Sequence, residues 1–275
     1  MKISIVVPTT NIKRLKILLA SLRNQDIKPW EVVVVVKNIE TRKVDDLCYI
    51  YALNCIVLEQ REGYFTKALN MGRRASSGDV VTFTDDDAIA LKGWLKRYIK
   101  LFGLYKKIGC ISSRDIYIDM DRLRLLPTPD DRPTVRLYRI LMRPIFEKPL
   151  PILRKYWCGV YINKYLEIKH GPCIPNRICY SLPFRGVNMA FRKEAIDEAM
   201  FPEHELLRRA PGNEQYVGLQ LVLNGWDCLY TPDNPILHMA RKSSLSRSAP
   251  RDLHNEEAIM RELMRSLLKQ RTWSQ

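Results

Sequence analysis

The sequence predicts an α/β protein built on a single open, mostly parallel sheet flanked by helices. Three observations carry this. Strand-like and helix-like patterns alternate through the first hundred residues, and repeated β-α units form a mostly parallel sheet with right-handed crossovers. Glu31 to Val36 holds an unbroken β-branched run, as a strand covered on both faces requires. At 275 residues, 46% hydrophobic and 27% charged, the chain has an ordinary globular composition, enough to bury a full core and too apolar for disorder.

The elements follow in order. Ile3 to Pro8 is strand-like and ends at a proline. Asn11 is placed to cap the next helix, whose Leu15, Leu18, Leu19 and Leu22 share one face. After the Glu31–Val36 strand come a mixed helical stretch, a strand over Cys55–Glu59 and a helix from about Thr66 to Ala75. Gly78-Asp79 then turns into a strand over Val80–Thr84. Ligands of such sheets bind outside the carboxyl ends of the strands, which narrows the chemistry to residues 8–11, 37–38, 59–63 and 85–88.

From about residue 119 to 181 the regularity fails, in a stretch rich in Pro, Arg and Tyr. Within it Arg132, Arg136, Arg139 and Arg143 form one helical stripe. Order returns over Phe184–Arg192, followed by a helix over Asn213–Asn224 and a strand over Asp227–Tyr230. The last thirty or so residues read as a basic amphipathic helix with Ile259, Leu263, Leu267 and Leu268 on one side. There is no internal repeat.

The formal net charge is +15, which attracts polyanions: nucleic acid, anionic lipid or phosphorylated small molecules. No run reaches the ~20 apolar residues of a membrane span, and MKISIVVP does not read as a signal peptide. A cytoplasmic protein is expected, with peripheral contact at the inner membrane face through the arginine stripe and the C-terminal helix. Seven cysteines without a C-x-x-C pair exclude the usual zinc-ligand spacing. Most read as buried thiols, and Cys173 and Cys179 are the pair expected to bridge, if any does.

Asp85-Asp86-Asp87 ends a hydrophobic strand, where three adjacent carboxylates repel one another without a cation. In an extended segment Asp85 and Asp87 project to the same side. Their oxygens suit a hard divalent ion, Mg²⁺ or Mn²⁺, bridging to a diphosphate.

Six pieces, in order, carry a family resemblance: Ile5-Val6-Val7-Pro8-Thr9; Gly63 through Asn70 and Gly72; Gly78 through Asp87; Arg185-Gly186-Val187-Asn188-Met189-Ala190-Phe191-Arg192; Asn213-Glu214 ahead of Gly225-Trp226; and Pro235-Ile236-Leu237-His238. On these the chain resembles the family 2 glycosyltransferases, inverting enzymes of the GT-A fold. The resemblance implies a GT-A domain over residues 1–245, with a nucleotide-sugar-binding half (1–118) and an acceptor-binding half (119–245). Residues 246–275 would then form a C-terminal helix.

By the same resemblance Asp85 and Asp87 hold the metal with His238, and Asp85 and Asp86 also contact the nucleotide sugar. Pro8, Thr9, Asn11, Lys67 and Asn70 face the nucleotide, and Asn188 orients the sugar or acceptor. Glu214 is the general base, giving single displacement with inversion. Arg241 and Lys242 add charge at the diphosphate. One departure stands out: the family's acidic residue after the second strand is replaced by Lys37-Asn38. The implied donor is a UDP-sugar by default, with a GDP-sugar open, and the acceptor a glycan or lipid-linked sugar. Two alternatives remain: a nucleotidyltransferase, although Thr9–Arg14 has no glycine-rich loop, and a non-catalytic RNA- or anionic-lipid-binding protein. Nucleic acid is not the expected partner.

Overall fold

A computed structural model describes residues 1–143, 147–240 and 250–272. The alternating first part forms β1 (Ile3–Thr9), α1 (Ile12–Arg23), β2 (Glu31–Val36), α2 (Thr41–Ile50), β3 (Cys55–Glu59), α3 (Phe65–Ala75) and β4 (Val80–Phe83). These strands lie in the order β3-β2-β1-β4, all parallel. The chain leaves β1 toward β2 and β3, then returns to β1's other side as β4. The ends of β1 and β4 therefore flank a topological switch point, where open sheets of this kind bind ligands.

Side chains alternate across the sheet and feed two cores. Ile5, Val7, Val32, Val34 and Val36 pack with the leucines of α1, while Val6 and Val33 face the opposite core with Leu69 of α3. This explains the unbroken valine run, since both faces of β2 are covered. Asn11 caps α1 as expected, its side chain accepting from the Arg14 N–H at 3.1 Å.

The second part contributes β5 (Ala88–Ala90), α4 (Trp94–Leu104), β6 (Ile108–Asp119), β7 (Arg124–Leu126), α5 (Pro133–Leu141), β8 (Val160–Ile162), β9 (Ile168–His170) and β10 (Cys179–Tyr180). It ends with β11 (Met189–Arg192), α6 (Lys193–Asp197), α7 (Asn213–Leu223), β12 (Asp227–Met239) and α8 (Pro250–Thr272). β11 is antiparallel to both β4 and β6, whereas β12 runs parallel to β6. An antiparallel strand in this place delivers its amino end to the carboxyl ends of its neighbours, so Arg185 to Asn188 arrive at the switch-point edge.

Four expectations change. The strand placed over Asp227–Tyr230 runs on to Met239, with a register shift between Thr231 and Ile236 that accommodates Pro232 and Pro235. The stretch 119–181 is ordered into the elements above, with 3₁₀ turns at Pro129–Asp131 and Pro151–Tyr156. The disulfide joins Cys48 to Cys55, while Cys173 and Cys179 are free thiols; folding the end of α2 back onto β3 is what brings the first pair together. The apolar side of α8 is not open to a membrane: Met260 and Met264 are buried in the core, with Ile259, Leu263, Leu267 and Leu268 packed against it. Among the described residues no helix is long and apolar enough to cross a membrane.

Candidate active site

A cleft of about 800 Å³ opens at the switch point, lined from the ends of β1, β4 and β12, from Arg185 to Val187 and from the start of α7. Asp85 and His238 meet there. Together with Asp87 they offer three ligand atoms lying within 4.8 Å of one another. Two carboxylates and an imidazole form a donor set suited to a divalent ion that accepts nitrogen as well as oxygen, Mn²⁺ more than Mg²⁺.

The route by which these side chains converge differs from the extended segment expected. β4 stops at Phe83, and the chain turns through Asp86 and Asp87, with the Ala88 N–H donating to the Asp85 carbonyl at 3.1 Å. β12 brings the histidine. Its pairing with β5 sets His238 opposite Ala88, and the Met239 N–H donates to the Asp87 carbonyl at 2.9 Å. His238 Nε2 then lies 3.4 Å from Asp87 Oδ1.

The other imidazole nitrogen is 3.0 Å from Asp115 Oδ2. Asp115 is buried on β6, and the same oxygen accepts from Arg185 at 3.1 Å. Burial alone would lower the His238 pKa. Hydrogen bonds to Asp115 and Asp87, with the charges of Asp87 and Asp85, push it up to about 10. Burial would raise the Asp115 carboxyl, but the bond from His238 and the Arg185 charge hold it below its ordinary value.

Arg185 extends this network. Besides Asp115 it donates to the Tyr117 hydroxyl at 3.0 Å and to Asp130 at 2.8 Å. Asp130 in turn meets Arg139 and, at 3.1 Å, His170. Through Arg185 and Asp130, Arg139 of α5 and His170 of β9 are thereby tied to the cleft.

Asp86, the middle carboxylate, has its own cation. Arg14 of α1 approaches both carboxylate oxygens, at 3.0 and 3.3 Å, and Thr9 donates its hydroxyl at 2.7 Å. This last bond spans the switch point from β1 to the β4 turn.

Glu214 stands in the first turn of α7 and lines the same cleft. The turn before it needs Gly212: its φ is +78°, and a Cβ there would lie 2.2 Å from Ile168. Burial pushes the Glu214 carboxyl up, against the opposing pull of its own N–H, the Gln215 side chain, the Arg185 charge and the Gly186 N–H. A carboxyl raised toward neutral pH is better matched to taking a proton. The preceding loop is held from α8, where buried Glu256 accepts from the Arg209 and Ala210 N–H groups at 2.9 and 2.8 Å.

Pro8 and Thr9 line the cleft as the sequence suggests. Four residues expected at the donor do not. Asn11 spends its side chain capping α1. Lys67 pairs with Glu62 at 2.7 Å. Buried Asn70 bonds to Phe201 and Glu203, pinning the loop after α6. Buried Asn188 accepts from Trp94 and Tyr98 and donates to the Arg114 and Asn234 carbonyls, a satisfied internal amide. Arg241 and Lys242 lie outside the described residues. Sequence reading missed Arg14, Asp115, Arg185 and Arg209, all of which line the cleft. Of these only Arg185 carried a signal, as the first residue of a conspicuous motif.

The sequence pattern of Glycosyl transferase family 2 matches residues 4–160. No curated protein matches. Among solved structures the chain is similar to Staphylococcus aureus TarS 1–349, with 19% identity, a TM-score of 0.59 and coverage of 94% of this chain and 64% of that one. TarS is also known in complex with UDP-GlcNAc. GalNAc-T7 with UDP, GalNAc and Mn²⁺ has 13% identity, a TM-score of 0.68 and coverage of 93% and 47%. A mannosyltransferase from Pyrobaculum calidifontis, with GDP-Man and Mn²⁺, has 17% identity, a TM-score of 0.59 and coverage of 100% and 76%. The chain thus spans less than two thirds of the first two. At these identities the likeness is one of fold, the GT-A fold.

Proposed function

The chain belongs to glycosyl transferase family 2, and from that premise we propose that it is an inverting, metal-dependent glycosyltransferase that uses a nucleotide-sugar donor. The observation that carries the reading is that Asp85 and His238, which with Asp87 form the candidate ligand group, line one cleft with Glu214 at the switch point.

In this reading Asp85, Asp87 and His238 hold a divalent ion, Mn²⁺ or Mg²⁺. When bound, that ion acts as a Lewis acid that stabilises charge on the departing diphosphate. Asp115 fixes the His238 tautomer by accepting from Nδ1, leaving Nε2 toward Asp87. Arg185 and Arg209 add positive charge along the cleft. Glu214 takes the proton of the acceptor hydroxyl as that oxygen attacks the sugar carbon, and its raised pKa suits the task. Attack from the side opposite the leaving group inverts the configuration.

The nucleoside end lies against Pro8, Thr9, Val35, Lys37, Gln60 and Tyr64. Lys37 occupies the place after β2 and donates to the Gly63 carbonyl at 2.6 Å. Asp86 is engaged by Arg14 and Thr9 and acts by shaping this pocket. The donor is a UDP-sugar or a GDP-sugar, and the acceptor is a glycan or a lipid-linked sugar received by the 119–245 half.

A thermal-shift panel of UDP-, GDP- and CMP-sugars, each with Mn²⁺, Mg²⁺ or chelator, tests this. Binding to the native state raises its stability by mass action, so one nucleotide should raise the midpoint only when metal is present. A shift that chelator leaves intact would remove the metal from the donor site. The absence of a shift with every donor would overturn the nucleotide-sugar reading.

A further inference from the structure

Helix α5 is built inside out. At about 100° per residue, Arg132, Arg136, Arg139 and Arg143 share one side, and Leu137 and Leu141 lie opposite, flanked by Tyr138 and Ile140. The structure turns Arg139 and Arg143 inward, while Arg132 and Arg136 stay exposed at the helix start. Arg139 is 6% exposed, paired with Asp130 and donating to the Ile174 carbonyl, and Arg143 is half-buried against Glu147 at 3.0 Å. The apolar side is turned out, with Leu137 58%, Ile140 54%, Leu141 56% and Tyr138 45% exposed.

A surface helix normally does the reverse, and large contiguous apolar surface marks an interaction site. Among the described residues nothing covers it. The inward half of the stripe, Arg139 with Asp130 and Arg143 with Glu147, holds the helix down, and its leucine side faces out.

We propose that this apolar face of α5 docks on the surface of an anionic lipid bilayer. Charge complementarity selects that occupant. The exposed cations beside the face are Arg132 and Arg136 at the start of α5. Leucine, isoleucine and tyrosine enter the headgroup boundary, and the arginines extend sideways to lipid phosphates. A nine-residue helix is too short to span and suited to lying in the interface plane. Asp130, bonded to both Arg139 and Arg185, links α5 to the cleft, so a docked α5 would set the Arg185 side of the cleft close to the membrane. The inference stands on exposure and charge and does not depend on the transferase reading.

Flotation of the full chain with phosphatidylcholine vesicles, with and without phosphatidylglycerol, tests it. Binding is expected only when the anionic lipid is present, and it should weaken as salt is added. Arg132→Ser or Arg136→Ser should weaken it about fivefold each. Leu137→Ser or Leu141→Ser should weaken it roughly tenfold or more, with the unfolding midpoint unchanged or higher because these side chains face out. Absence of binding by the unaltered chain to anionic vesicles would overturn the proposal without any variant. So would binding that survives both leucine changes. A concentration-dependent dimer dissolved by Leu141→Ser, with no lipid binding, would assign the face to a second copy instead.

Discussion

Replacing Asp115 with asparagine keeps the shape of a buried side chain and removes its charge. One oxygen, Oδ2, accepts from both His238 Nδ1 at 3.0 Å and Arg185 at 3.1 Å. The amide oxygen of Asp115→Asn can take that place, so both hydrogen bonds survive in geometry. The negative charge that orients His238 as an electron-rich ligand is lost. Partners of metal-bound histidines typically contribute tenfold to a hundredfold in metal affinity, which corresponds to about 1.4–2.7 kcal/mol. Arg185 keeps Asp130 at 2.8 Å, so the fold should tolerate the change at a cost of about 1–3 kcal/mol. The assay is Mn²⁺ titration followed by the loss of the free-ion paramagnetic resonance signal, beside denaturant unfolding of the same samples. Weaker Mn²⁺ binding in a folded protein is the expected outcome. Unchanged Mn²⁺ affinity would refute the claim that Asp115 tunes the site through His238.

Three further outcomes follow from the same network and its supports. Because the His238 pKa is raised from 6.5 to about 10 in the folded state, its contribution is fully present below about pH 6.5 and lost as pH rises to about 10. The metal-free protein should lose stability across that window while Mn²⁺ affinity rises, since binding must displace the proton; a flat unfolding free energy across it would contradict the assignment. Glu256→Ala removes the acceptor of two buried loop N–H groups. It should cost about 1–3 kcal/mol and lower turnover by misplacing Glu214; normal turnover would show that α8 does not hold the loop. Cys48→Ser opens a short disulfide loop and should destabilise by roughly 2.5 kcal/mol on chain-entropy grounds, read as a lower denaturant midpoint that wild type shows only after reduction.

What the sequence revealed and what it hid divide along a physical line. The β-branched run of β2 and the leucine spacing of α1 are local signals, and they form the elements they indicate. Asp85 and Asp87 lie two apart in sequence after a buried strand, so their meeting was legible, although a turn and not an extended segment brings them together. His238 reaches them only through the β5–β12 register, which the family motif signalled and periodicity did not. Asp115, Arg14 and Arg209 sit in no motif; the first two depend on partners more than seventy residues away, and Arg209 on Glu256, 47 residues on. Asn70 and Asn188 show the converse: amides that suited a ligand were taken up by the backbone and by Trp94 and Tyr98. Periodicity found the arginine stripe of α5 but not its direction, because spacing says which residues share a side and not which side faces the core. Asp130 decided that, by offering a buried carboxylate.

The central claim is that Glu214 is the base and the aspartate–histidine group the metal site of one reaction. Glu214→Gln, compared with wild type in a Mn²⁺-dependent donor-binding titration and in transfer to an acceptor hydroxyl, tests it most directly. The account predicts unchanged donor affinity with transfer reduced by about 10²–10⁴-fold. Transfer at the wild-type rate by a variant that binds donor normally would contradict it.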